Sequence, residues 1–170
     1  MSDLATLLAE CDAARLAIVQ QHEASARAVG HYDFNNTYQY VINREDAHVA
    51  WIRAALAETG ATVADAPAPA AGGAVPKPGG SVTPGAYRQI LLEDARVLAA
   101  FVEAWTPRVA AMTHARHRTM LNVVLGESRE HQRLFEQAAS GFEDVLGKRT
   151  RAEEHTSELQ SLAYLACRLL

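Results

Sequence analysis

Residues 61–83 read ATVADAPAPAAGGAVPKPGGSVT. Proline, glycine and alanine dominate this stretch, which can hold neither a helix nor a sheet ladder and reads as a mobile linker. Long segments with apolar residues at helical spacing flank it on both sides. Extended at about 3.3 Å per residue, it reaches roughly 75 Å. A helix of about 24 residues is only about 36 Å long at 1.5 Å per residue. The segment can therefore cross the whole length of a helical bundle. Each half of the chain is broken once more, by VGHYDFNN in the first and AWTPRV in the second. The fold expected is all-α: a four-helix bundle of two helical hairpins joined by a long crossover.

The first helix is expected over about 3–28, with Leu4, Leu7, Leu8, Cys11, Ala14 and Ile18 as its apolar stripe. Gly30 stops it, and Asp33, Asn35 or Asn36 can cap the second, expected over about 36–59 and ended by Gly60. Pro84 suits the first turn of a third helix, over about 85–113 with a kink at Pro107. The fourth is expected over about 116–146, stopping near Gly147. Residues 1–150 then form one bundle domain.

Composition narrows the class. Apolar residues make up 49% of the chain and aromatic ones 6%, and alanine and leucine prevail over β-branched residues, which favours helix. The formal charge of −4 comes with no basic patch, so no nucleic-acid partner is expected. No stretch approaches the ~20 apolar residues that span a bilayer, and the N-terminus is not a signal peptide. Two cysteines, Cys11 and Cys167, make no disulfide framework. A cytoplasmic location is expected. Cys11 falls on the core stripe and reads as an inert buried thiol.

Residues 151–170 stand apart. Their EEHTSELQS, Glu153–Ser161, resembles one reading frame of a short-read sequencing adapter, and the likeness extends through Leu165 and Cys167–Leu170. Ala166 departs from it by one base. Glu153, Glu154, His155 and Cys167 are therefore set aside as ligands, and the natural protein is expected to continue differently after about Arg151. Without residues 152–170, which carry three Glu and one Arg, the formal charge is −2.

The second helix carries a chemical oddity. Val41, Glu45, His48, Ile52 and Ala55 step by 4, 3, 4, 3, the spacing of a bundle-core seam. Glu45 and His48 thus point the way Val41 and Ile52 point. A buried carboxylate demands a partner, and residues three apart on a helix can bind one metal ion together. In the fourth helix Met120, Val124, Glu127, His131, Leu134 and Ala138 step by 4, 3, 4, 3, 4, with Ser128 on the neighbouring seam. Shifting the sequence by 83 places His48 on His131, Glu10 on Glu93 and Val41 on Val124, a weak internal repeat.

Glu45-x-x-His48 and this arrangement of helices resemble the ferritin-like superfamily of rubrerythrin-type di-iron carboxylate proteins, over about residues 3–146. There, helices one and three each supply a Glu and helices two and four an ExxH motif. The resemblance implies a binuclear iron or manganese centre held by Glu10, Glu45, His48, Glu93, Glu127 and His131, one that activates dioxygen or peroxide or oxidises iron. Glu127 and His131 depart from the motif by one residue. Glu23, Glu103 and Glu130 are alternatives to Glu10, Glu93 and Glu127.

Two other functions compete. One is a metal-free bundle that acts by partner binding or self-association, with homo-oligomerisation left open. The other resembles the DinB-like metalloenzymes, which hold one metal with three histidines. There the third, beside His48 and His131, would be His22, His114 or His117. His114 and His117 otherwise read as surface or capping residues, and Trp51 and Trp105 as packing residues.

Overall fold

The computed structural model describes residues 3–61, 84–141 and 145–146. Four helices account for nearly all of them: α1 (Asp3–Ala28), α2 (Tyr32–Glu58), α3 (Pro84–Ala110) and α4 (Ala115–Ala139). No strand occurs among the described residues. The interior of the expected crossover, 62–83, and the tail, 151–170, lie outside the described residues.

Each helix packs on two others. α1 pairs with α2 and α3 with α4, while α1 also lies against α3 and α2 against α4. Side-chain pairs give the directions. Asp12 meets Arg53 and His22 meets Glu45, so α1 and α2 are antiparallel. Glu10 meets Arg108 and Gln21 meets Asp94, so α1 and α3 are antiparallel. Glu58 meets Arg116 and Arg44 meets Glu127, so α2 and α4 are antiparallel too. The diagonal helices α2 and α3 therefore run parallel, and Glu58 and Pro84 stand at opposite ends of the bundle.

Several boundaries differ from the sequence reading, each for a local reason. α2 begins four residues earlier than expected, at Tyr32, with His31 at its N-cap position. Asn35 is no cap: its amide donates to the carbonyl of Ala26, tying the new helix to the last turn of α1. α3 runs through Pro107 to Ala110, short of the expected 113. α4 ends at Ala139, not near Gly147. Gly141, at φ 92°, takes the left-handed conformation that ends a helix, and its N–H bonds the carbonyl of Ala138.

The core joins all four helices through Leu8, Val41, Ile52, Leu91, Leu98, Leu121 and Phe135, each essentially without exposed surface. Truncating one such leucine to alanine costs about 2–5 kcal/mol, since lost burial and a cavity act together. The true seam of α1 runs Leu8, Cys11, Arg15, Ile18, His22, Ser25, in steps of 3, 4, 3, 4, 3, all of them buried. Leu4, Leu7 and Ala14, read as stripe residues, flank it half-buried.

Candidate functional site

Midway along the bundle the apolar core gives way to a buried polar cluster. α1 contributes Arg15 and His22, α2 contributes Glu45 and His48, and α4 contributes Ser128 and His131, all at most 1% exposed. Glu127 lies at the rim with 19% of its side chain exposed. α3 closes the cluster with Phe101, whose ring centroid lies 4.9 Å from the Arg15 guanidinium carbon.

Glu45 is the hub. His22 Nδ1–H donates to Glu45 Oε2 at 2.8 Å. Arg15 Nη2 lies 3.1 Å from Glu45 Oε1, and His131 Nδ1 lies 3.7 Å from the same oxygen. Arg15 Nη2 also donates to His48 Nδ1 at 3.3 Å, and Arg15 Nη1 to the Ser128 hydroxyl at 3.2 Å. Because a guanidinium can only donate, His48 Nδ1 is the acceptor, and its proton resides on Nε2. That Nε2–H donates to Glu127 Oε2 at 2.9 Å. Arg44 grips both Glu127 oxygens, at 3.0 and 2.6 Å. His48 and His131 stack with centroids 6.1 Å apart.

Charges follow from these contacts. Burial alone would raise the Glu45 carboxyl, but His22, His131 and Arg15 outweigh it and hold it well below the usual carboxylate range. Burial is likewise outweighed at Glu127, which His48 and Arg44 bring down to about 2. Burial lowers His48 and His131, and Arg15 lowers both further against the pull of the carboxylates. At neutral pH the cluster therefore holds two carboxylates, two guanidiniums and uncharged His48 and His131 rings.

Satisfaction of hydrogen bonds is incomplete. Glu45 Oε1, His131 Nδ1, His22 Nε2 and Arg15 Nε are buried without a hydrogen-bond partner. Arg15 meets Glu45 Oε1 as a charge contact, not as an aligned hydrogen bond. Orphaned buried polar atoms of this kind are rare, and each one asks for an explanation.

The structure thus assembles Glu45, His48, Glu127 and His131, and leaves the other two expected ligands outside. Glu10 is half-exposed and pairs with Arg108; Glu93 is half-exposed and pairs with Arg96. Of their alternatives, Glu23 pairs with Arg27, Glu103 is exposed, and Glu130 pairs with Arg133. The carboxylate that α3 buries is Asp94, one residue after Glu93. It accepts from Tyr38 Oη at 2.5 Å and from Gln21 Nε2 at 2.8 Å. Burial and Asp94 push the Tyr38 phenol well above its usual range, so it stays a donor. Of the three candidate third histidines, His22 joins the cluster. His114 and His117 sit at the start of α4, where His117 lies 3.6 Å from Glu58. Cys11 is buried, and burial raises its thiol to about 12, which leaves it protonated and unreactive.

Arg15 and Asp94 escaped the sequence reading. Arg15 could have been found from the seam Leu8, Cys11, Arg15, Ile18, His22, which passes straight through it. Among the described residues no three His, Cys, Asp or Glu side chains converge closely enough to share an ion as they stand. Arg15 Nη2 occupies the point towards which Glu45 Oε1 and His48 Nδ1 both aim. No helix among the described residues is long and apolar enough to cross a membrane. No family model, curated protein or solved structure matches the chain.

Proposed function

We propose that this chain is a ferritin-like bundle protein that binds one divalent transition-metal ion, iron(II) or manganese(II), through Glu45 Oε1, His48 Nδ1 and His131 Nδ1. The observation that carries the reading is the pair of orphaned atoms Glu45 Oε1 and His131 Nδ1, 3.7 Å apart beside His48. Two ligands each about 2.1 Å from one ion stand about 3–4 Å apart. Carboxylate oxygen and imidazole nitrogen suit iron and manganese, and two histidines with one carboxylate are the set that activates dioxygen at non-haem iron(II). The parallel run of α2 and α3 supports the reading, since it suits the long second-to-third-helix connection of ferritin-like bundles.

The remaining residues orient these three. Glu127 takes the Nε2–H of His48 and so points the Nδ1 lone pair inward; Arg44 in turn anchors Glu127. His22 fixes Glu45 through Oε2 and leaves Oε1 open. A histidine ligand whose other nitrogen donates to a carboxylate is the usual arrangement at metal sites. The binuclear centre expected from the sequence finds less support. It needs carboxylates from α1 and α3 at this level, where those helices present Arg15 and Phe101. The centre of three histidines gains His22, but the Nδ1 of that ring is engaged by Glu45.

A metal-free bundle that acts by partner binding is the second reading. It is favoured by the two guanidiniums that neutralise Glu45 and Glu127. Metal analysis of protein purified with iron, manganese and zinc offered equally separates the two. Manganese(II) at a hundredfold excess over Kd should stabilise the chain by about 2.7 kcal/mol. His48→Ala and His131→Ala should lose most of that gain, and His114→Ala should keep it. A wild-type protein that takes up no metal and gains no stability would leave the metal-free reading standing.

A further inference from the structure

We infer that Arg15 is the resident cation of this site in the absence of metal, and that it competes with a divalent ion for the same two ligand atoms; the inference rests on the metal-site reading above. Arg15 has no exposed surface, and its Nη2 lies 3.1 Å from Glu45 Oε1 and 3.3 Å from His48 Nδ1. A buried carboxylate without a cation is strongly unfavourable, so without a metal this site needs a positive charge from within the chain. Arg44 is engaged at the rim, where its guanidinium grips both oxygens of Glu127.

The fit of the guanidinium is partial. It serves the charge of Glu45 without an aligned hydrogen bond to Oε1, leaves its own Nε without an acceptor, and leaves His131 Nδ1 without a partner. A small ion at the focus of Glu45, His48 and His131 would satisfy these ligand atoms together. Such an ion would also stand within a few ångströms of a guanidinium, and like charges at that separation in a poorly solvated interior repel strongly. Binding therefore requires Arg15 Nη2 to withdraw from between Glu45 and His48. The Ser128 hydroxyl, 3.2 Å from Nη1, and the face of Phe101 are the contacts against which it is held. The affinity of the chain for metal is then set by this exchange as much as by the three ligands.

The experiment measures manganese(II) binding to the full chain, stripped with chelator, by equilibrium dialysis and by the paramagnetic resonance of free manganese(II). Wild type is compared with Arg15→Met, Arg15→Gln and Arg15→Lys. The two neutral variants should bind at least about tenfold more tightly, and Arg15→Lys, which keeps a charge, should stay near wild type. Arg15→Met leaves Glu45 without a counter-charge, so this variant should melt lower without metal and recover with it. Should it fail to fold, Arg15→Gln retains a hydrogen-bond donor and decides alone. Wild type and neutral variants of equal affinity would overturn the competition while the metal site stands. Binding by the neutral variants only would overturn the metal site in the natural chain and uphold Arg15 as the resident cation. No binding by any of the four would overturn both.

Discussion

His48 Nε2 and Glu127 Oε2 are 2.9 Å apart, and this hydrogen bond, together with the Arg15 contact to Nδ1, keeps the Nδ1 side of His48 facing the interior. With the proton held on Nε2, Nδ1 presents a lone pair towards Glu45. Glu127→Gln tests the relationship with little change of shape. An amide can offer His48 an oxygen or an NH2, so the tautomer then rests on the Arg15 contact to Nδ1 alone, and Arg44 loses a charged partner. Loss of such a supporting carboxylate typically lowers metal affinity about 10–100-fold. Dialysis against manganese(II) should show a fall in that range with the bundle still folded. An unchanged affinity would remove Glu127 from any role in positioning His48.

Stability of the metal-free protein should decline in two steps as pH falls. His48 and His131 have folded values below the ordinary 6.5, so folding favours their neutral forms. Their contribution is full above about 6.5 and is lost as pH drops below it, because the unfolded chain takes up protons first. Glu127 falls from the ordinary 4.5 to about 2, and Glu45 is lowered in the same direction. Their contribution is full above about 4.5 and is lost below it. Melting in chelator from pH 8 to pH 3 should give a plateau, a decline beginning near 6.5 and a steeper one below 4.5. In His48→Gln/His131→Gln the first decline should shrink while the second remains. A melting temperature that rises between pH 7 and pH 5 would contradict the neutral-imidazole arrangement.

The fold was legible where the sequence punctuates itself. Gly60, Pro84 and the proline-rich segment mark the halves of the bundle, and the seam Val41, Glu45, His48, Ile52 is regular enough to show which way Glu45 points. Half of the cluster was legible for the same reason, since apolar neighbours in register betray a buried polar residue. α1 hid its share. Arg15 and His22 interrupt the seam on which they lie, and an arginine is almost never fully buried without a partner that sequence does not reveal. Alanine-rich flanks also let Leu4 and Leu7 imitate a core stripe. On α3, Glu93 and Asp94 are adjacent carboxylates about 100° apart around the helix, and the 83-residue spacing pointed to Glu93. Tyr38 and Gln21 choose Asp94, and both lie far away in sequence. The end of α4 was misplaced because two glycines compete, and the first, Gly141, takes the left-handed turn.

One ion or two is the sharpest question left by the geometry, and Glu10 and Glu93 answer it. A binuclear carboxylate centre would draw on both, and their loss would remove bridging ligands. Here each is about half-exposed and paired with a surface arginine, Arg108 and Arg96 respectively. Exposed pairs of this kind contribute about 0–1 kcal/mol, since solvent screens them and side-chain entropy opposes them. Glu10→Gln/Glu93→Gln should therefore leave manganese(II) affinity within about twofold of wild type and shift stability by no more than about 1 kcal/mol. Titration should saturate at about one ion per chain in both proteins, as expected for a single set of two histidines and one carboxylate. Asp94→Asn belongs beside it as the comparison on α3. It removes a buried charge from Tyr38 and Gln21, should cost about 1–3 kcal/mol of stability, and should leave one-ion binding in place. Two ions per chain in wild type, falling to one or none in the double variant, would restore the binuclear centre and show that α1 and α3 rearrange to bring those carboxylates inward.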